Sequence, residues 1–154
     1  MNAHVIFNGQ SRLLKCYIFG EGQPRHILPA HDVGVNDADV MAGEDVYGYR
    51  CKCPPGSGYR LGPPEFLNPA EPPYGIYFTP IFDNPQGTLT AHGRSGLGIH
   101  GGGSDLADPF ADFQGWEDTF GCIRLQNHDN AIFAEFVNTV LGKSGIAFLD
   151  VVWP

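Results

Sequence analysis

Positive charge is scarce in this chain. Nine Lys and Arg stand against 17 Asp and Glu, for a formal net charge of −8, and the basic residues form no run. Nucleic acids and anionic membranes need a concentrated cationic footprint, so neither is expected as a partner. Long apolar runs are missing too, since none approaches the roughly 20 residues of a membrane span. Met1 to Phe7 show no basic region leading into an apolar stretch, so no cleavable signal peptide is visible. The expectation is a protein that works where it is made or is exported without such a signal.

Cysteine is also sparse. Cys16, Cys51, Cys53 and Cys122 are too few for a disulfide scaffold at 154 residues. Cys51 and Cys53 lie one residue apart, the wrong spacing for a zinc knuckle. They are expected to be buried or free thiols, or one of them to pair with Cys16. No metal ligand set stands out. His92 and His100 would need a third ligand, and only scattered aspartates offer one.

Glycine and proline are abundant, at 21 and 13 residues. They predict many turns, short strands and little room for long helices. With 42% hydrophobic and 17% charged residues, the chain should form a single folded domain over 1–154. Strands are expected at His4–Phe7 and Leu13–Phe19 around an Asn8-Gly9 turn, and at His26–Leu28, Val46–Tyr49 and Gly58–Leu61. Further strands are expected at Gly75–Phe82, interrupted or edged by Pro80, at Leu97–His100, and from Ile146 to Trp153.

One helix is expected, His128–Leu141. Ile132, Phe133, Phe136, Val137, Val140 and Leu141 recur at helical spacing, Gly142 stops it, and Asn127 or Asp129 is a candidate cap. Residues 101–118, rich in Gly, Asp and Pro, are long enough for a lid or binding loop. The architecture should be mainly β, a sandwich or barrel-like pair of sheets with one helix docked near the C-terminus.

The chemistry concentrates in Gly98-Ile99-His100-Gly101-Gly102 and Thr119-Phe120-Gly121-Cys122-Ile123-Arg124-Leu125. A thiol attacks a carbonyl as the thiolate, and a neighbouring imidazole is the usual means of making one. Beside an imidazolium, the thiol pKa is expected to fall. Gly121 lets backbone N–H groups approach a substrate oxygen, as an oxyanion hole requires.

These runs resemble the active-site signature of the L,D-transpeptidases of YkuD type: a histidine-glycine, a spacer, then Ser/Thr-His-Gly-Cys, an apolar residue and often arginine. Pro54 to Gly62 looks like that family's proline-glycine-aromatic hairpin, and Val5–Gln10 with Leu13–Tyr17 is similar to its opening strands. Gly93-Arg94-Ser95-Gly96-Leu97-Gly98-Ile99-His100-Gly101-Gly102 looks especially like the branch delivered as type VI secretion effectors. Two features depart from the pattern: Phe120 stands where histidine is usual, and the spacer between His100 and Cys122 is somewhat long.

The resemblance implies an L,D-transpeptidase-type β-sandwich and a Cys/His thioester mechanism without a cofactor. The substrates it implies are tetrapeptide stems of peptidoglycan, cut or joined after meso-diaminopimelate. Cys122 would be the nucleophile, His100 the base, and the Gly101 carbonyl its orienting partner. Backbone N–H groups of Gly121 and Cys122 would form the oxyanion hole. Arg124 would pair structurally with Asp118 or Asp129, or contact a substrate carboxylate. His92, Tyr77 and Trp116 are candidates to line the cleft.

Expected partners are peptidoglycan stem peptides, with a secretion-system component or an immunity protein for a delivered effector. The expected place of action is the periplasm or cell envelope, reached by a secretion system or during phage lysis. Two other readings compete. A papain-like endopeptidase carries its cysteine before its histidine, the reverse of the order here. A non-catalytic wall-binding β domain would keep Cys122 as an inert thiol.

Overall fold

The computed structural model describes residues 1–32, 52–117, 119 and 121–152. The expected strand Val46–Tyr49, together with Cys51, Asp118, Phe120 and Trp153, lies outside the described residues.

The chain opens on a hairpin, β1 (Ala3–Asn8) against β2 (Leu13–Ile18), followed by β3 (His26–His31), β4 (Gly56–Leu61), β5 (Glu65–Glu71) and β6 (Gly75–Phe82). A one-turn helix α1 (Thr88–Ala91) precedes β7 (Gly98–His100). Then come β8 (Ile123–Leu125), the long helix α2 (Asn127–Gly142) and β9 (Ala147–Val152).

The nine strands of the described residues form one sheet in the order β4-β9-β1-β2-β3-β8-β7-β6-β5, and an added β4–β6 pairing closes it into a barrel-like ring. Where the sequence suggested stacked sheets or a barrel-like pair, the described ladders are continuous around that ring. Two contacts are parallel, β1–β9 and β7–β8.

Alternation drives the burial. On β1, Ala3, Val5 and Phe7 face inward, and on β2 Leu14, Cys16 and Ile18 do the same. Ile99, Ile123, Leu125 and Leu149 join them, and α2 covers this core with Phe133, Phe136, Val137 and Val140. Each such side chain contributes about 1.5–3 kcal/mol by leaving water.

Three elements were not expected from sequence. β5 contains Pro69 and pairs with β6 only around a register shift. β8 is three residues long, too short to show a period. α1 depends on Asp83 and Asn84, whose side-chain oxygens accept the Thr88, Leu89 and Thr90 N–H groups. Pro80, expected to interrupt or edge its strand, lies within a continuous β6. There the outer neighbour changes from β5 (Glu65 opposite Phe78) to β4 (Leu61 opposite Ile81), so the missing N–H falls at a junction between ladders.

Helix α2 begins one residue earlier than expected, at Asn127. Neither Asn127 nor Asp129 caps it, and Gln126 at the N-cap makes no side-chain capping bond. The first amides bond to the 101–117 loop instead: Asn127 N to Gln114 Oε1 at 2.7 Å and His128 N to the Asp112 carbonyl at 2.8 Å. Among the described residues, no helix is long and apolar enough to cross a membrane.

Candidate active site

Cross-strand register builds the site. His31 on β3 is opposite Arg124 on β8, Arg124 is opposite His100 on β7, and His100 is opposite Phe78 on β6. Directly paired residues share a face of the sheet. This row therefore lies on the outer face, while Ile99 and Ile123 beside it point into the core. Cys122 lies just before β8 and packs against the buried core. Its thiol has a backbone hydrogen bond at Gly98 on β7.

His100 is almost fully buried, at 2% exposure. Its Nδ1 lies 2.7 Å from the Gly101 carbonyl, which can only accept, so Nδ1 carries the proton and Nε2 keeps its lone pair. The ring stacks on Phe78 at 5.8 Å with planes 14° apart, and Tyr74 meets it edge-on at 5.1 Å. Phe78 also covers Gly98 so closely that no side chain would fit there.

Arg124, also buried, ties three segments together. It donates to the carbonyls of Gly101 (3.4 Å), Pro73 (3.2 Å) and Glu117, and its guanidinium lies 3.9 Å from the Glu117 carboxylate. The pairing expected with Asp118 falls outside the described residues. Asp129 lies instead in the first turn of α2, where a negative charge suits the helix dipole.

Burial decides the electrostatics. It pulls His100 down from 6.5 to about 4; the Gly101 hydrogen bond opposes this, and the Arg124 cation adds to it. Burial pushes the Cys122 thiol above its ordinary value, with Gly98, Arg124 and Arg94 acting the other way. The sequence suggested a thiolate beside an imidazolium. These shifts favour a neutral thiol at Cys122 and a neutral imidazole at His100, because a buried environment disfavours both charged forms.

The turn presenting the thiol is fixed by Thr119, whose hydroxyl donates to the Cys122 carbonyl at 2.6 Å. Gly121 has φ +106°, a conformation side chains rarely adopt. Residues 101–117, expected as a lid, are pinned from several sides. Asn127 accepts from Gly102 N at 3.0 Å and donates to the Pro109 and Ala111 carbonyls at 2.8 and 2.7 Å. Gln114 reaches the Gly102 and Leu125 carbonyls, and Glu117 accepts from Ser104 and Asp105 N–H.

The remaining candidates separate. Trp116 stacks on His31 at 5.5 Å, next to the row. Tyr77 lies on the opposite face of β6 from Phe78, against Phe66 and beside a groove of about 520 Å³ along α2. Its place beside the histidine is taken by Tyr74 and Phe78. His92 ends α1, its Nδ1 2.8 Å from the Thr88 carbonyl. Sequence reading also passed over His31, Arg94 and Glu117; none of them has a local signal, because register and loop closure bring them in. Cys16, Cys53 and Cys122 are free thiols. Among the described residues, no group of three or more His, Cys, Asp or Glu is placed to hold a metal ion.

No family model matches the chain, and no curated protein matches it. Solved structures do. The helical cell shape determining protein Pgp2 from Campylobacter jejuni aligns with a TM-score of 0.62 and 19% identity, over 97% of this chain and 47% of its own. Bd1075 from Bdellovibrio bacteriovorus gives 0.58 and 16%, over 88% and 44%. An L,D-transpeptidase (Yku) from Stackebrandtia nassauensis gives 0.54 and 11%, over 99% and 56%. The chain spans about half the length of these proteins. At such identities the likeness is one of fold, and the fold of this chain is that of the L,D-transpeptidases.

Proposed function

We propose that the chain is a peptidoglycan-acting cysteine acyltransferase, an L,D-transpeptidase or L,D-carboxypeptidase working on tetrapeptide stems. The observation that carries this reading is the β7–β8 ladder. Ile99 and His100 pair there with Ile123 and Arg124, which brings the Cys122 segment alongside the His100 strand, and the imidazole lone pair at Nε2 is available to take a proton.

The steps balance without a cofactor. Nε2 of His100 takes the thiol proton as the Cys122 sulfur attacks the carbonyl of the diaminopimelate residue. The tetrahedral oxyanion is met by the N–H groups of Gly121 and Cys122. As the C–N bond breaks, the imidazolium returns its proton to the departing amine, leaving a thioester. Water or an amine then attacks the thioester and restores the thiol. Arg124 holds the surrounding backbone, and Trp116 with His31 forms one wall of the approach.

The place of action in this reading is the cell envelope. Carriage there by a secretion system, with an immunity protein as counterpart, is suggested by the Gly93–Gly102 fragment. The test is mass spectrometry of muropeptides after incubation with wild type, Cys122→Ala and His100→Ala. Wild type should convert the tetrapeptide and each variant should leave it intact with an unchanged circular dichroism spectrum. Full conversion by either variant overturns the mechanism.

A further inference from the structure

Arg94 lies between α1 and β7, and its Nη1 donates to the Lys52 carbonyl at 3.0 Å. The other side of the same guanidinium rests against Gly121, so closely that any side chain at 121 would collide with Nη2 and Cζ. One planar cation thus bridges the residue before Cys53 and the residue before Cys122. Glycine at 121 has two reasons to be there, its positive φ and the space the guanidinium occupies.

The groups acting on the Cys122 sulfur come from several elements. β7 brings the Gly98 backbone, β8 brings Arg124, and the α1–β7 segment brings Arg94. The segment before β4 brings Cys53, a fully buried thiol whose surroundings include Asp32, Arg94 and Cys122. Arg124 is committed to three backbone carbonyls. Arg94 acts on both Cys53 and Cys122 and touches the backbone next to each.

We propose that Arg94 is a positioning residue of the Cys122 centre, clamping the Lys52 and Gly121 backbones together and placing a fixed positive charge beside the sulfur. This rests on the reading of Cys122 as nucleophile. A cation already in place when the proton leaves costs no reorganisation at that moment. The planar fork matters as well, because a lysine ammonium is a point charge that cannot span both backbones.

The test follows alkylation of Cys122 by iodoacetamide from pH 6 to 10 in the whole chain, with peptide mass spectrometry separating it from the other thiols. Arg94→Gln should react roughly fivefold or more slowly at pH 8, because thiolate fraction falls tenfold per unit rise in pKa. Arg94→Lys, which keeps the charge and loses the span, should recover part of that rate. A glutamine variant that matches wild type at every pH overturns the proposal, as does a lysine variant as slow as the glutamine one. If Arg94→Gln does not fold, the Arg94 nitrogen resonances of wild type decide. They should shift at the pH midpoint of Cys122 alkylation and lose that shift in Cys122→Ser; resonances indifferent to that midpoint overturn the proposal. Alkylation reads the thiol and not turnover, so failure of the acyltransferase reading would show separately in the muropeptide assay.

Discussion

Arg124 faces His100 in register across the parallel β7–β8 ladder, with its guanidinium buried among the carbonyls of Pro73, Gly101 and Glu117. A cation beside an imidazole opposes a second positive charge, and burial opposes it further. The same cation helps a negative sulfur. Both the Cys122 thiol and the His100 imidazole are therefore held toward their neutral forms.

The pH dependence of turnover follows from this. In the proposed mechanism the neutral His100 is the active form, and that form is lost only as pH falls through about 4. The acid limb of kcat/KM on a diaminopimelate tetrapeptide should lie near that value. Iodoacetamide labelling of Cys122 should be slow at pH 6 and rise only above the ordinary thiol range. An acid limb near 6.5, or fast labelling at pH 6, would contradict the neutral pair.

Asn127 should be the main clasp of the 101–117 loop. Asn127→Ala removes the acceptor for Gly102 N and the donors to the Pro109 and Ala111 carbonyls. Buried polar groups left without partners cost about 1–3 kcal/mol each, so a loss of about 3 kcal/mol is expected in urea denaturation. Limited proteolysis should then cut first within this loop.

Arg124→Lys should be damaging although it keeps the charge. A lysine cannot serve the Gly101, Pro73 and Glu117 carbonyls together, and stability should fall by about 2 kcal/mol or more. Thermal melting with and without the substitution measures this. Unchanged melting would show that the three carbonyls are satisfied in another way.

Asp32 predicts a pH-dependent gain. Its side chain is fully buried, and neither carboxylate oxygen has a hydrogen-bond partner among the described residues. Burial raises its pKa from 3.8 to about 6, against the pull of Lys52 and Arg12. The folded state therefore holds a proton that the unfolded state releases, and stability falls as pH rises from 3.8 to about 6. Asp32→Asn should raise the melting temperature by several degrees at pH 7.5, from about 2–3 kcal/mol of linkage, with the difference vanishing near pH 4. His100 acts oppositely, its contribution being lost as pH falls from 6.5 to about 4.

Much of this molecule could be read from local pattern. The Asn8-Gly9 hairpin, the alternation of β1 and β2 and the apolar period of α2 are each contained within a few residues. The glycine-flanked histidine and the glycine-preceded cysteine stand out in the sequence for the same reason. Tyr77 is a candidate wall of the cleft from sequence, yet strand parity puts Phe78, not Tyr77, beside His100. Parity is fixed by register with β7, and nothing local to Tyr77 states that register.

What the sequence alone determined is which reactive groups the chain carries: a thiol, an imidazole and the glycines that flank them. It also determined a mainly β chain with a formal net charge of −8. Tertiary structure decided which groups keep company with His100, because residues 31, 78, 100 and 124 become neighbours only when strands far apart in the chain pair in register. It also decided the protonation state. Desolvation depends on how deeply the finished fold buries a group, and that depth is a property of the packed sheet and loop.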